Sequence, residues 1–136
     1  MKQLIVKSVD ALVHEFAQRF EQFCIPSVAK GACKFTSYEL AKYLKQNHTA
    51  CDLLHLQGRI DECPDAQSIW LKKPQDKWSH YVVAVGDTVY DLTATQFDPK
   101  IAYPFSCNLA YLRRRWRTVE RDDFINSLVD NFYPGT

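Results

Sequence analysis

The segment that most constrains the fold is Tyr81-Val82-Val83-Ala84-Val85-Gly86-Asp87-Thr88-Val89-Tyr90-Asp91-Leu92. Two β-prone runs flank Gly86-Asp87, and glycine at the first of two central positions suits a type II′ hairpin turn. A two-residue turn sets the register completely. Val85 then faces Thr88, Val83 faces Tyr90, Val82 faces Asp91 and His80 faces Thr93. His80 and Asp91 therefore share one face of the hairpin as diagonal neighbours, about 7–8 Å apart at the backbone and within side-chain reach. A three-residue turn would reverse the parity and separate them. A carboxylate inside Val-Tyr-Asp-Leu is costly to bury alone, so Asp91 calls for a partner.

The rest of the chain reads around this hairpin. Val9, Leu12, Val13, Phe16, Phe20 and Phe23 recur at helical spacing, with Ser8 as the N-cap and Pro26 as the stop, which predicts a helix over about residues 8–24. A second helical pattern over about 33–46 places Cys33, Ser37, Leu40 and Leu44 on one stripe. Residues 51–57 read as a strand closed by Gly58. Residues 59–77, charged and holding two prolines, read as an irregular excursion in which Ile69-Trp70-Leu71 adds a short strand. Asn108 to Trp116 fits either a helix or the approach to a strand, and Asp122 to Val129 a short terminal helix. With 136 residues and no repeat or linker, the whole chain, 1–136, is expected to form one domain.

Composition excludes several classes. Seventeen Lys and Arg against sixteen Asp and Glu leave a formal charge of +1, so no global field points to nucleic acid or to an anionic membrane. The local exception, Arg113-Arg114-Arg115-Trp116-Arg117, reads as one apolar anchor on a solvated face. No stretch approaches the roughly 20 apolar residues of a membrane span, and the N-terminal apolar run is too short for a signal peptide. Five cysteines, Cys24, Cys33, Cys51, Cys63 and Cys107, show no C-x-x-C spacing for zinc. Asp61-Glu62-x-x-Asp65 lacks the glycine and distal Glu of a calcium loop. No cofactor is called for. The expectation is a soluble protein of a reducing compartment, cytoplasmic, or secreted or delivered without a cleaved signal peptide.

Cys33 opens the second helix. Free backbone N–H groups and the helix dipole favour a thiolate there, and the same groups can hold an oxyanion. Gly31 and Ala32 let the backbone turn sharply before it. The competing reading is a buried core cysteine. The His80–Asp91 face tips the balance, because a base held by a carboxylate is what activates such a nucleophile. Among the other histidines, His14 lies on a polar helix face, His48 in a turn, and His55 between Leu54 and Leu56 with no acid at useful parity. Trp70 and Trp78, between nucleophile and base in sequence, either wall a substrate groove or pack in the core.

Gly31-Ala32-Cys33 with Ser37, Leu40 and Leu44, then Ser79-His80-Tyr81-Val82-Val83, then Val89-Tyr90-Asp91-Leu92-Thr93-Ala94-Thr95-Gln96-Phe97, resembles the papain-like superfamily over about residues 27–97. Within it the segment is most similar to bacterial papain-fold toxin and effector domains and to transglutaminase-like cysteine hydrolases. The resemblance implies an α+β fold with N-terminal helices packed on a small antiparallel sheet. It implies Cys33 as nucleophile, His80 as general acid and base, Asp91 as orienter, and an amide-directed reaction through a thioester. Members act as peptidases, protein-glutamine deamidases or transglutaminases. The implied partners are a protein or peptide substrate and a cognate inhibitor or immunity protein. Papain-type peptidases carry a Gln before the nucleophile; Ile25-Pro26-Ser27-Val28 has none. Ser27, a backbone N–H or Gln96 are then the candidates for the second oxyanion donor, and Asp91 in place of Asn leans toward the transglutaminase and deamidase side. The alternative function is a non-catalytic adaptor or immunity-like domain of the same fold, with a structural Cys33 and the Arg-rich segment as its binding surface.

Overall fold

Apolar residues at steps of three and four build the first helix, α1 (Val9–Arg19), and bury Leu12, Val13, Phe16 and Ala17. The Ser8 hydroxyl caps it, accepting from the Ala11 N–H at 3.1 Å. The computed structural model describes residues 7–132. The first six residues, which carry most of the N-terminal run weighed above as a signal peptide, lie outside that range.

The expected helix over 8–24 is shorter and broken. Phe20 leaves helical geometry and Glu21–Cys24 forms a 3₁₀ turn. The carbonyls of Ala17 and Phe20, which already accept from the Phe20 and Phe23 N–H groups, lie 2.9 and 2.6 Å from the Tyr103 hydroxyl and share it as a further donor. A short helix, α2 (Pro26–Ala29), starts on the fixed φ of Pro26. The long helix α3 (Cys33–Gln46) follows at the expected bounds.

Five strands form one antiparallel sheet: β1 (Asp52–Arg59), β2 (Ser79–Val85), β3 (Thr88–Asp91), β4 (Phe105–Asn108) and β5 (Trp116–Arg121), in the order β4-β3-β2-β1-β5. The other helices among the described residues are α4 (Ser68–Leu71), α5 (Leu109–Arg113) and α6 (Asp123–Asp130), with 3₁₀ turns at Gln75–Lys77 and Ala94–Gln96. The class is thus α+β. Among the described residues no helix is long and apolar enough to cross a membrane.

Alternation along the strands divides the core in two. Leu53 and Val83 pack with Leu12, Val13, Phe16, Leu40 and Leu44 under α1 and α3, joined by Ile125 and Val129 of α6. Leu54, Leu56, Val82, Ala84 and Val89 point the other way, onto Trp70, Trp78, Phe97, Leu112 and Trp116. Asn126, fully buried, ties α6 to β1 by mimicking a strand partner. It accepts from the Leu53 N–H at 2.8 Å and donates to the Leu53 carbonyl at 2.8 Å.

Two further local expectations need correction, and a third is resolved. Ile69-Trp70-Leu71 lies in the helical turn α4, because the Trp70 and Leu71 N–H groups bond back to Gln67 and no strand flanks them. Gly58 does not end β1. It stays within the strand at φ +74°, and a Cβ there would meet the Arg117 side chain at 3.1 Å, so glycine is required. The segment from Asn108 to Trp116 is both things considered: Asn108 ends β4 and caps α5, and Trp116 opens β5.

Candidate active site

The hairpin between β2 and β3 has the two-residue turn. Val85 pairs with Thr88, Ala84 with Val89 and Val83 with Tyr90. Gly86 has φ +60°, and Asp87 is not among the residues with positive φ, which is the type II′ pattern. The register places His80 and Asp91 on the face shared with Val82 and Val89, and their side chains meet: His80 Nε2 to Asp91 Oδ2 is 2.6 Å. His80 is 1% exposed and Asp91 8%.

Asp91 has a second task. Its Oδ1 accepts from the Thr93 N–H at 2.9 Å, an Asx-type turn that ends β3. In a two-residue hairpin, Val85 and Val83 spend their backbone groups on β3, so by parity the Tyr81 N–H points to the same edge. β3 stops at Asp91, one pair short of it. The vacant edge is where Cys33 reaches the sheet, and its thiol interacts both with the His80 side chain and with the Tyr81 backbone N–H. α3 lies over one face of the sheet and His80 projects to the other; the early end of β3 lets the first residue of α3 meet the imidazole at the strand's end.

The α3 N-terminus suits an anion. α1, α5 and α6 are capped by the side chains of Ser8, Asn108 and Asp122. α3 starts from Ala32, which offers no side-chain acceptor. Thr36 N–H is the first to bond back, to the Ala32 carbonyl, so the N–H groups of the first turn remain for another acceptor. Gly31, at φ +73°, makes the sharp entry.

Electrostatics follow the geometry. Burial pushes the Cys33 thiol up, but the hydrogen bond and charge of His80, with the Tyr81 N–H, bring it below its ordinary value of 9.0. Burial alone would lower His80, yet the charge and hydrogen bond of Asp91, with Cys33, hold it raised to about 10. By contrast, burial raises Cys51 to about 12 and Cys107 to about 11, and raises Cys63 as well. The pair therefore favours thiolate and imidazolium together. With Nε2 held by Asp91, Nδ1 is left for Cys33. It is buried, and among the described residues no other donor or acceptor is hydrogen-bonded to it, which leaves it to the thiol.

Aromatic rings fix the imidazole. Trp116 stacks on it with centroids 6.0 Å apart, and Phe97 meets it edge-on at 4.9 Å. The Arg59 guanidinium lies over both Trp116 and Phe97, at 5.2 and 5.7 Å. A cavity of about 300 Å³ opens on this side, touching His80 and Asp91 and walled by Arg59, Asp61, Trp116 and Arg115. Cys33 does not line it.

The remaining candidates lie elsewhere. Trp70 and Trp78 are buried, with centroids 5.8 Å apart, and neither lines the cavity. Their indole N–H groups donate to Gln96 Oε1 at 2.8 Å and to the Lys73 carbonyl at 3.1 Å. Ser27 is exposed on α2. Gln96 is fully buried; its amide nitrogen donates to the Thr93 carbonyl and its oxygen accepts from Trp70 and from Gly31. His55 stacks on Tyr81 at 4.4 Å, on the α3 side of the sheet and away from Asp91. Among the described residues no group of three or more His, Cys, Asp or Glu could hold a metal ion.

Sequence reasoning missed Phe97, Trp116 and Arg59 as neighbours of His80 and the Tyr81 N–H as a neighbour of Cys33. The parity of β2 and the early end of β3 carry the last of these; nothing local marks the first three, which the sheet order brings together. Comparison with family models, with curated proteins and with solved structures finds no match to this chain.

Proposed function

We propose that this chain is a cysteine-nucleophile hydrolase of the papain-like or transglutaminase-like kind, acting on an amide in a protein or peptide through a thioester. The observation that carries the reading is the 2.6 Å His80–Asp91 pair whose free ring nitrogen is left for a thiol at an uncapped helix N-terminus. Nδ1 of His80 takes the Cys33 proton, and Asp91 steadies the imidazolium. The thiolate attacks the carbonyl carbon, and the charge that forms on oxygen falls to the first-turn N–H groups of α3. The C–N bond breaks as the imidazolium gives its proton to the leaving amine. Water, deprotonated by His80, then cleaves the thioester and restores the thiol.

The Gln96 amide is committed to Thr93, so within this reading the oxyanion is held by backbone N–H groups. Peptide cleavage and glutamine deamidation share every step and differ in which amide the site admits. The test is intact-mass analysis of candidate protein targets after exposure to wild type and to Cys33→Ala. Fragments indicate a peptidase, and the mass increment of amide-to-acid conversion indicates a deamidase. Activity that survives Cys33→Ala contradicts the reading.

A further inference from the structure

Gln96 is fully buried, and all of its hydrogen-bonding runs between segments that flank the Cys33–His80–Asp91 group. Its Oε1 accepts from the Trp70 indole N–H at 2.8 Å and from the Gly31 N–H at 3.4 Å. Both neighbours are pure donors, which fixes the orientation of the amide. Its Nε2 donates to the Thr93 carbonyl at 2.9 Å. Thr93 N–H in turn bonds Asp91 Oδ1 at 2.9 Å. A continuous path of hydrogen bonds thus leads from the orienting carboxylate through Thr93 and Gln96 to Gly31, two residues before the nucleophile.

The backbone of Gln96 strengthens the junction, since its carbonyl accepts from the Gln67 N–H at 2.8 Å and pins the approach to α4. The adjacent Thr95 hydroxyl donates to the Phe23 carbonyl at 3.0 Å, a second tie to the chain leading into α2. The approach to Cys33 needs such support. Gly31 stands at φ +73° and Ala32 caps nothing with its side chain, so local sequence does little to hold the height of α3 against β2.

We infer that Gln96 is a positioning residue that sets Cys33 against His80, tying the nucleophile's approach to the Asp91 turn. This rests on the nucleophile reading above and adds to it a residue that touches neither substrate nor thiol. Losing its bonds leaves the His80–Asp91 pair in place and lets the Gly31–Cys33 segment drift. The thiolate is then less well stabilised, while the helices and sheet persist.

The test is the pH profile of iodoacetamide alkylation at Cys33, mapped by peptide mass, in wild type, Gln96→Met, Gln96→Glu and Trp70→Phe, with melting temperature measured beside it. Gln96→Met conserves length and removes every side-chain bond; it is expected to slow labelling at about pH 6 roughly tenfold, a shift of about one pKa unit in the thiol. Gln96→Glu, kept neutral by burial, retains an acceptor for Trp70 and Gly31 and a donor for Thr93, and is expected to restore the acid limb. Should Gln96→Met fail to fold, Trp70→Phe keeps a ring in the cluster and deletes one donor; the expected shift has the same sign and is smaller. A purely structural Gln96 would lower the melting temperature and leave the profile unchanged, and that result overturns the inference. If wild-type Cys33 shows no acid-limb reactivity, both this inference and the nucleophile reading fall.

Discussion

His80 on β2 and Asp91 on β3 are diagonal neighbours across a two-residue hairpin, and their side chains close the gap to 2.6 Å between Nε2 and Oδ2. Neither residue would find the other if the turn held one residue more, because every side chain beyond it would change faces.

One extra glycine between Gly86 and Asp87 should therefore uncouple the pair. Either an inverted β3 or a slipped one should result. In both cases Cys33 alkylation at about pH 6 should fall by roughly an order of magnitude, as expected for the loss of about one pKa unit of thiolate stabilisation. Circular dichroism would check that the sheet survives.

Asp91→Asn keeps the shape and an oxygen for the Thr93 N–H but removes the charge that raises His80. The imidazole should drop from about 10 toward its ordinary value of 6.5. With a weaker imidazolium partner, the Cys33 thiol should rise. A histidine ring titration followed by NMR would show the first effect, and the alkylation profile the second.

Much of this site was legible in sequence, and the reasons are local. Gly86 at a position that needs φ > 0 fixed the turn, and the turn fixed which face His80 and Asp91 share. Ala32, Cys33 and the apolar stripe after them set the start of α3. What stayed hidden was non-local. Trp116 read as an anchor on a solvated face, and Arg113, Arg114 and Arg117 are indeed exposed while Trp116 is buried. That its ring stacks on His80 depends on β5 joining the sheet beside β1. The break after α1 was equally hidden, since Tyr103, far along the chain, supplies the hydroxyl that bonds to the Ala17 and Phe20 carbonyls there.

The raised His80 also makes stability depend on pH. A basic group held above its ordinary value contributes stability that is complete below about 6.5 and is lost as pH rises through about 10. In a Cys33→Ala background, which removes the opposing titration of the thiol, His80 should show its greatest advantage over His80→Gln below pH 6.5. That advantage should be lost as pH rises, and below the wild-type limit of about 10, because the thiol that helps to raise His80 is gone; it is read as the difference in melting temperature. An advantage that grows with pH would contradict the assignment.

Asn126 offers a prediction about the scaffold alone. Asn126→Ala would leave the buried Leu53 N–H without its partner, while the Leu53 carbonyl keeps the Asp122 N–H at 3.1 Å. An orphaned buried donor costs about 1–3 kcal/mol, so urea denaturation should show a loss of that size. The Cys33 profile of the folded fraction should not move.

The measurement closest to the central claim is site-resolved alkylation of all five cysteines across pH, in wild type and in His80→Gln. Cys24 is exposed and Cys33 is buried, so simple access would label Cys24 first. Cys33 should react first at about pH 6, and His80→Gln should remove this priority. Labelling led by Cys24 with Cys33 inert, or a Cys33 rate indifferent to His80, would contradict it.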